Sequence, residues 1–552
     1  MNREIQRGKL VGMQGPGSIY IDTDGSSYIV SSVDKWYDKN FCNSYIDIRD
    51  FELHDLRLER ILGVDKFLEA PDYRTTFNKS NTPNTKLEIP IARFPLLEYC
   101  SKCGTFNEAK PGYSQKKRYC KECDKQETFI QFPIVIMCKN GHIYDFPYFF
   151  YIHTDKHRSK KCSRQWIERE GASILNWTLH CNCEAEHSLT GVTGKSDGKG
   201  SSPFVNEMHG AKCFGKMPWT GDDSTHECDA TPIAILKNAL NVYRPETIEA
   251  LSLAESTTKF EEKVSLEEIY HQEFIRLNKS FVNENDDLDK LKVEKSFEPD
   301  SKKAIKSVNH VHRLQQLVVL TDFHREVPSD DFESFEKAIT GPDNTLIFSD
   351  DFKYRNWYPA KKVYGEGIFI EFNSDILREW EKNEEVAQHY QNLIKRVDSF
   401  YLADKYSSPS SVLIHTLSHA FIKELSRHCG YPVTSIRERL YLENGNQGVL
   451  IYVTDPDKAG TYGGLVRLAE LNKFKLILNE AVKSTDWCSS DPVCFELGRS
   501  TGQGIENSNG AACHNCCFLP STSCGSRNCF LDRDYVNRYG SDVSITRWFD
   551  FI

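Results

Sequence analysis

The amino-acid sequence predicts a multi-domain protein of mixed α/β (α+β) class, and three observations support this prediction. The 552-residue chain is long enough for about three or four domains. Its N-terminal part contains short alternating apolar runs, which are typical of strands, whereas its C-terminal half combines a long helical pattern with a buried-strand pattern. Nineteen cysteines, most of them closely spaced, indicate small modules between and after these parts.

We divide the chain into five predicted segments that follow these changes of pattern. They are, in order, a β-rich N-terminal domain, a Cys-rich region, a charged helical segment, an α/β domain and a C-terminal Cys-rich module, over residues 1–90, 91–234, 235–306, 307–470 and 471–552.

The N-terminal domain is predicted to begin with a β-hairpin. Two short apolar runs, Ser18–Ile21 and Ser27–Val30, flank the dipeptide Asp24-Gly25, and such dipeptides favour tight hairpin turns. The charged stretch from Asp55 to Leu62 has the apolar spacing of a short helix.

The clearest motif is a pair of C-x2-C sequences separated by sixteen residues, which contain Cys100, Cys103, Cys120 and Cys123. This spacing is typical of a zinc ribbon, in which four thiolates surround one Zn²⁺ ion. A closed shell of four thiolates leaves no position for substrate, so the predicted role of this zinc is structural.

The alternative to zinc is a set of disulfides, and the compartment decides between them. Residues Met1 to Gly12 contain no apolar core of a secretory signal, and no stretch approaches the roughly 18 apolar residues that a membrane span needs. We therefore expect a cytoplasmic protein that does not enter a membrane. Thiols stay reduced there, which favours metal binding over disulfides.

A second group of possible ligands extends from residue 138 to residue 228. Two further zinc sites are predicted from Cys138, His142, Cys162, Cys181, Cys183, Cys213 and Cys228, with His153 and His226 also available. The spacing leaves the pairing open. Our preferred pairing joins Cys138 and His142 to Cys181 and Cys183.

A third group lies near the C-terminus. Cys488 and Cys494, together with Cys513 and Cys516, predict another zinc site, for which Cys524 is a competing ligand. The total is then two to four zinc ions. The cysteines predicted to be spare or simply buried are Cys517, Cys529, Cys42 and Cys429.

The segment from residue 235 to 305 is rich in charge and is predicted to be helical. Beyond it, Ser411–Leu425 shows helical apolar periodicity that ends near Gly430, and Gly448–Val453 has the pattern of a buried strand. A helix followed by a strand indicates a compact α/β unit.

The net charge of −10 and the pI of about 6.0 do not indicate a nucleic-acid-binding protein. Basic residues nevertheless cluster within the Cys-rich region. A phosphate-contacting patch and a set of solvated loops explain them equally well. The candidate nucleic-acid-binding residues are Lys116, Lys117, Arg118, Arg158, Lys160, Lys161 and Arg164.

The sequence contains no convincing catalytic motif. Gly191–Ser196 resembles the end of a phosphate-binding loop, but Leu189 occupies the position of the required first glycine, so we expect no bound nucleotide.

His415 and His419 have the spacing of a shared metal site without the adjacent glutamate of metalloproteases. Glu366, between two glycines, is an isolated acid in a predicted turn before a strand. We expect no enzyme activity; the alternative is a nuclease-like, metal-dependent hydrolase with an open zinc, bound by the second cysteine group or by this histidine pair.

Several segments together resemble the DrmB family of DISARM anti-phage defence systems. The segments that carry the resemblance are Arg7–Val11 with Gly15–Gly17, Ile91–Pro95, Cys138–Tyr148, Trp357–Ala360 with Gly365–Phe369, His415–Ala420, Ser435–Arg439, Gly460–Leu465, and Gly510–Cys516 with Asn528–Arg533. The resemblance covers nearly the whole chain apart from the charged segment near residues 240 to 305.

The resemblance implies a bacterial intracellular subunit whose C-terminal part is a helicase-associated zinc domain. It implies that the chain forms a heteromer with the superfamily 2 helicase DrmA and binds DNA, single-stranded or duplex. It also implies a defence system in which a DNA methyltransferase is a separate subunit. The motor activity would then belong to the helicase, in agreement with the incomplete phosphate-loop motif.

Overall fold

The structure is a computed structural model, and it describes most of the chain. The described residues are 7–38, 48–71, 88–112, 115–154, 162–171, 173–195, 201–221, 225–253, 265–279, 290–326, 345–349, 352, 356–397, 404–443, 445–455, 463–537 and 551.

The chain forms two compact units. The first contains Met1–Ile248, Val318–Glu333 and Lys337–Lys361, and the second contains Glu249–Leu317, Ser334–Glu336 and Lys362–Ile552. Both helices and sheets are present, so the predicted mixed α/β, multi-domain class is confirmed. The finer division into five segments stays a prediction.

The first unit is dominated by short strands, and its described helices are also short. The helices are α1 (Arg7–Leu10), α2 (Leu56–Leu62), α3 (Tyr148–Ile152) and α4 (Pro203–Glu207). The strands are β1 (Ile19–Ile21), β2 (Ser27–Val30), β3 (Glu52–Leu53), β4 (Lys66–Glu69), β5 (Ile91–Arg93), β6 (Leu97–Cys100), β7 (Phe106–Glu108), β8 (Lys117–Cys120), β9 (Lys125–Gln131), β10 (Ile134–Met137), β11 (Ile143–Asp145), β12 (Gln165–Glu168), β13 (Thr178–Cys181), β14 (Glu186–Ser188) and β15 (Ile233–Leu236).

The predicted N-terminal elements are confirmed. β1 and β2 pair as an antiparallel hairpin with Tyr20 opposite Tyr28, and β5 joins β2 to complete a three-stranded sheet. Helix α2 begins after Asp55, whose side chain accepts hydrogen bonds from the first backbone N–H groups, and it ends at Gly63 in the left-handed conformation.

Three small sheets build the Cys-rich region. Their strand orders are β7-β6-β9-β8, β11-β10-β15 and β12-β13-β14. Ile134 and Ile136 of β10 pack with Phe132 and Phe146 in a buried core. Most of the cysteines lie in or beside the turns that follow β6, β8, β10 and β13, whereas Cys162, Cys213 and Cys228 lie in the loops before β12 and β15.

The second unit contains longer elements. Its helices are α5 (Leu266–Asn278), α6 (Ser374–Glu381), α7 (Glu384–Ile394), α8 (Pro409–Cys429), α9 (Leu471–Ser484) and α10 (Val493–Ser500). The longer strands of the chain are β16 (Arg244–Leu251), β17 (Leu291–Phe297), β18 (Ile305–His324), β19 (Trp357–Phe372), β20 (Ile436–Glu443) and β21 (Asn446–Asp455), in the order β16-β18-β19-β21-β20 with β17 also paired to β18. Of these, β17, β20 and β21 lie wholly in the second unit.

The charged segment 235–306 differs from the predicted helical section. Within its described residues, α5 is the only α-helix, and β16 and β17 are strands. In β17, Leu291 and Val293 are buried while Lys292 and Glu294 between them are exposed. The charges therefore occupy the outer face of a strand, an alternation that composition alone does not distinguish from a charged helix.

Helix α8 confirms the helix predicted around Ser411–Leu425. It begins with a capping box at Ser408 and ends at Gly430 in the left-handed conformation. The predicted strand Gly448–Val453 lies within β21, which pairs with β20. Even though α8 has 21 residues, no helix in the described part of the chain has the length and apolarity needed to cross a membrane.

Candidate metal centres

Site 1 consists of Cys100, Cys103, Cys120 and Cys123. Cys100 ends β6 and Cys120 ends β8, and the other two cysteines lie in the turns that follow. The Sγ atoms of Cys100 and Cys123 are 3.8 Å apart, and those of Cys103 and Cys120 are 3.6 Å apart. Tetrahedral zinc, about 2.3 Å from each sulfur, places sulfurs about 3.8 Å apart, so the four donors fit one zinc ion.

The turn that contains Cys103 requires a glycine directly after this cysteine. Gly104 has a φ of +71°, and a Cβ there would be 2.3 Å from the carbonyl oxygen of Ile167. Burial alone would raise the pKa of Cys103, but hydrogen bonds with Thr105 and the neighbouring thiols lower it to about 7. A thiol with a lowered pKa is readily available as a thiolate ligand.

Site 2 consists of Cys138, His142, Cys213 and Cys228. Cys138 and His142 occupy the turn between β10 and β11, with Sγ and Nδ1 3.4 Å apart. The sulfur of Cys138 is 3.9 Å from that of Cys228, and the sulfur of Cys213 is 3.8 Å from Nδ1 of His142. A hydrogen bond with Cys213 and the nearby His142 lower the pKa of Cys138 to about 4, against the effect of burial.

Site 3 consists of His153, Cys162, Cys181 and Cys183. Nε2 of His153 is 3.4 Å from the sulfur of Cys162 and 3.3 Å from that of Cys183. Nδ1 of the same ring is 2.6 Å from the carbonyl oxygen of Phe149, so Nδ1 donates and Nε2 carries the lone pair that a metal needs.

The preferred pairing of Cys138 and His142 with Cys181 and Cys183 is therefore wrong. The sheet registers give the reason. β10 pairs with β15, which brings the loop before β15, and with it Cys213 and Cys228, next to the β10–β11 turn. β12 pairs with β13 so that Gln165 faces Cys181, and this places Cys162 beside the turn that follows β13.

Site 4 lies in the second unit and consists of Cys488, Cys494, Cys513 and Cys516. Its sulfur–sulfur distances are 3.5 Å between Cys488 and Cys513, 3.9 Å between Cys494 and Cys516, and 3.7 Å between Cys513 and Cys516. Cys524, which the sequence predicts as a competing ligand, is not a member of this group. Its sulfur lies 3.3 Å from Nε2 of His415 instead.

Each of these four groups supplies four nitrogen or sulfur donors and no carboxylate. Such closed sets match structural zinc sites, which hold loops in place, and they leave no coordination position for substrate. Zinc bound there would fasten turns of different strands to one another. The assignment of each residue as a ligand stays a prediction, although the geometry of each group agrees with it.

The predicted basic patch is only partly accessible. Lys117 is exposed, and Lys116 is 3.8 Å from Asp24. Arg118 points to the opposite face of β8, where it contacts the buried Glu98, so it does not fit the predicted role. Successive side chains of a strand point to opposite faces, which explains why Lys117 is exposed while Arg118 faces Glu98.

Arg164 is also engaged within the protein. Its guanidinium is 3.4 Å from Glu122 and lies over the ring of Trp166 at 5.0 Å. The remaining candidates, Arg158, Lys160 and Lys161, lie outside the described residues.

The sequence did not indicate one acidic residue that lies beside the histidine pair and Cys524. Glu438 of β20 lies next to His415, His419 and Cys524, all of them buried. The spacing of the two histidines was visible in the sequence, but nothing connected it to a carboxylate 19 residues after His419 or to a cysteine near the C-terminus.

Comparisons with known proteins agree with this geometry. Residues 6–244, which include sites 1 to 3, match a domain of unknown function, DUF8724, and residues 417–517, which include site 4, match the MrfA Zn-binding domain. A relative described as DISARM protein DrmB, from Bacillus paralicheniformis, is 25% identical over 568 aligned positions, covering 89% of this chain and 95% of the relative.

The matches confirm two predictions made from the sequence. The resemblance to DrmB extends over nearly the whole chain. Zinc is confirmed as the cofactor, since a zinc-binding domain and several suitable donor groups occur in the same chain.

Proposed function

We propose that this chain is a non-catalytic, zinc-binding, DNA-associated subunit of a DISARM-type anti-phage defence system, in which it partners the superfamily 2 helicase DrmA. The observation that carries the proposal is the similarity to DrmB, because it covers 89% of this chain and 95% of the relative. A likeness of that extent concerns the whole protein and not one shared module.

The donor groups support an accessory role. Sites 1 to 4 have four nitrogen or sulfur donors each, so a zinc ion bound there would be fully coordinated by protein. Hydrolysis by zinc needs an open position for water. The four groups therefore favour a rigid support for a catalytic partner that works in the cytoplasm, where the thiols stay reduced.

Contact with DNA would come from lysines of the predicted basic patch. Lys117 is exposed on β8, and Lys160 and Lys161 belong to the basic run of the sequence. Arg118 and Arg164 are excluded from this set because their guanidinium groups are held by Glu98 and Glu122. Lysine contacts to phosphates contribute affinity without sequence preference.

The decisive experiment is co-purification of the full chain with a DrmA helicase. We expect a stable complex, together with a change in helicase ATPase activity or in DNA affinity when this chain is added. The chain by itself should show no hydrolysis of nucleotides or nucleic acids. If no complex forms and neither activity changes, the proposal is wrong; nuclease activity that depends on zinc would support a hydrolase instead.

The DNA surface has its own test. Charge reversal at Lys117, Lys160 and Lys161 should weaken binding of the complex to all DNA sequences about equally. It should also reduce the slope of log affinity against log salt by about 0.9 per lost contact on duplex DNA. The matched control reverses three exposed lysines elsewhere, Lys382, Lys475 and Lys483. Equal losses in both variants would show that the contact lies elsewhere.

A further inference from the structure

We propose that His415, His419, Glu438 and Cys524 form a further metal site, separate from sites 1 to 4, which binds one Zn²⁺ ion in a closed structural coordination. We call it site 5. Its donor atoms lie within 4.8 Å of one another. This inference is independent of the proposed defence function.

Three parts of the second unit bring the donors together. His415 and His419 are one turn apart on α8, so their rings project from the same face. Glu438 comes from β20, and Cys524 comes from the C-terminal loop. Residues so far apart in the sequence meet only through tertiary packing.

The distances fit a tetrahedral ion. Nε2 of His415 and Nε2 of His419 are each 3.1 Å from the same carboxylate oxygen, Oε1 of Glu438. Nε2 of His415 is 3.3 Å from the sulfur of Cys524. Ligands about 2.0 Å (nitrogen, oxygen) or 2.3 Å (sulfur) from a tetrahedral zinc stand about 3.3 to 3.6 Å apart, close to the observed separations.

The orientation of His419 points to a cation at this position. Its Nδ1 is 2.9 Å from the carbonyl oxygen of Cys517, which can only accept, so Nδ1 carries a proton. In the neutral ring, Nε2 then carries a lone pair, and that lone pair faces the oxygen of Glu438. Two lone pairs at 3.1 Å repel each other unless a cation, either a metal ion or a second ring proton, lies between them.

Surrounding groups also orient Glu438 and Cys524. The second carboxylate oxygen of Glu438 accepts a hydrogen bond from the hydroxyl of Ser418. The sulfur of Cys524 accepts one from the backbone N–H of Asn528 at 3.4 Å. Partners of this kind fix ligand geometry in metal sites and leave the remaining lone pairs free for the ion.

Charge balance favours zinc over an ionised histidine. His415 and His419 are fully buried, and Cys524 is 3% exposed. Two neutral imidazoles, one carboxylate and one thiolate carry two negative charges, which a divalent cation neutralises without leaving a net charge in the interior.

The donor set also indicates which metal and which role. Nitrogen, sulfur and one carboxylate oxygen in a tetrahedral arrangement suit zinc, whereas magnesium and calcium prefer oxygen ligands. All four positions are filled by protein and closed to solvent. The ion would fasten α8 to β20 and to the C-terminal loop, and it would not be catalytic.

The first test measures zinc per chain in the purified full-length protein and its variants. Cys524→Ser and Glu438→Gln should each bind one zinc equivalent less than the unmodified chain, with the zinc of sites 1 to 4 retained. The matched control is His428→Gln, a histidine of the same helix that contacts Glu480 instead, and it should keep the full zinc content. Unchanged zinc in either folded site variant overturns the proposal.

A second measurement does not depend on the variants folding. Cadmium-113 NMR of the unmodified, cadmium-substituted chain reports the number of thiolates at each ion, since each added sulfur moves the resonance downfield. We expect a signal at the position of a single-thiolate site, well upfield of the signals from three- and four-thiolate sites. A spectrum with no single-thiolate signal overturns the proposal. The cation between His419 and Glu438 would then be a second ring proton on His419.

Discussion

At the scale of single residues, a buried ion pair joins two elements of the second unit. Glu273 of α5 is fully buried, and its carboxylate oxygens contact the guanidinium of Arg439 at 2.7 and 2.9 Å. The same carboxylate accepts hydrogen bonds from Tyr441 and from the backbone of Leu251. Every oxygen is satisfied, which is the condition under which a buried ion pair is tolerated.

Removing one partner of this pair should be costly. Glu273→Gln leaves the charge of Arg439 buried without a counter-charge, so we expect a loss of about 3–5 kcal/mol in the free energy of unfolding. Denaturant-induced unfolding followed by circular dichroism measures it. The control Glu379→Gln removes an exposed partner of Lys382 and should have almost no effect. Equal stability of the two variants would contradict this account.

His324 in the first unit should make stability depend on pH. Its Nδ1 is 3.0 Å from Glu246, and its Nε2 is 3.7 Å from Glu326. Burial lowers the pKa of His324, but the two carboxylates outweigh burial and raise it above 6.5. The folded state therefore favours the protonated ring. Its stabilisation is complete below about pH 6.5 and is lost as pH rises through the raised value.

We therefore expect His324→Gln to be less stable than the unmodified protein at pH 6, with the difference shrinking at pH 9. Unfolding curves recorded across this range test the expectation. Glu246→Gln removes the nearer carboxylate and should reduce the same pH dependence. A difference that is constant from pH 6 to pH 9 would show that the ring acts only through packing.

At the scale of elements, the segment around Glu366 shows how a local pattern misleads. Two glycines flanking an acid predict a turn, but Gly365, Glu366 and Gly367 lie in the middle of β19, paired with β21. Glu366 accepts a hydrogen bond from the backbone N–H of Leu465 at 2.8 Å. The glycines are needed because the neighbouring strand passes very close to them, and not because the chain turns.

Gly365→Ala should therefore be more damaging than its small size suggests. The added Cβ would be 1.8 Å from the carbonyl oxygen of Val453, so the two strands must separate. We expect a loss of about 3 kcal/mol or more in the free energy of unfolding. The control is Gly430→Ala at the end of α8, where an added Cβ would meet no neighbouring atom. It should lower the free energy of unfolding by only about 1–2 kcal/mol, because the residue keeps a positive φ. Similar losses would argue against close strand packing.

At the scale of the whole molecule, zinc at sites 1 to 3 would add to the stability that the small sheets of the Cys-rich region provide. Its sheets contain three or four short strands each, and the turns and loops beside these strands contain the donors of sites 1 to 3. Structural zinc contributes on the order of 10 kcal/mol per site in small modules. Loss of one ion should therefore affect a whole sheet and not only the substituted residue.

Cys103→Ser tests this idea at site 1. We expect loss of one zinc equivalent and much faster proteolysis within residues 97–131, which form the sheet that site 1 joins. Zinc analysis combined with mass spectrometry of limited digests measures both. Cys429→Ser is the matched control, because Cys429 is a partly exposed cysteine at the end of α8. Unchanged zinc in the Cys103 variant would remove this residue from the ligands.

The sequence by itself determined those features that depend on neighbouring residues. Local periodicity and capping residues predict the N-terminal hairpin, α2 and α8, and C-x2-C spacing predicts the two cysteine pairs of site 1. The structure agrees with each of these predictions. The four cysteines of site 4 were also named from spacing alone. The fold class and the zinc cofactor could also be predicted, because local apolar patterns and cysteine spacing indicate them.

Only the tertiary structure decided which distant residues meet. The pairing of Cys138 and His142 with Cys213 and Cys228 depends on the register of β10 and β15, and the strands of segment 235–306 depend on the sheet they join. Site 5 combines one helix, one strand and a C-terminal loop. Spacing in the chain carries no information about such contacts, because strand register and packing, and not sequence separation, set the distances between these side chains.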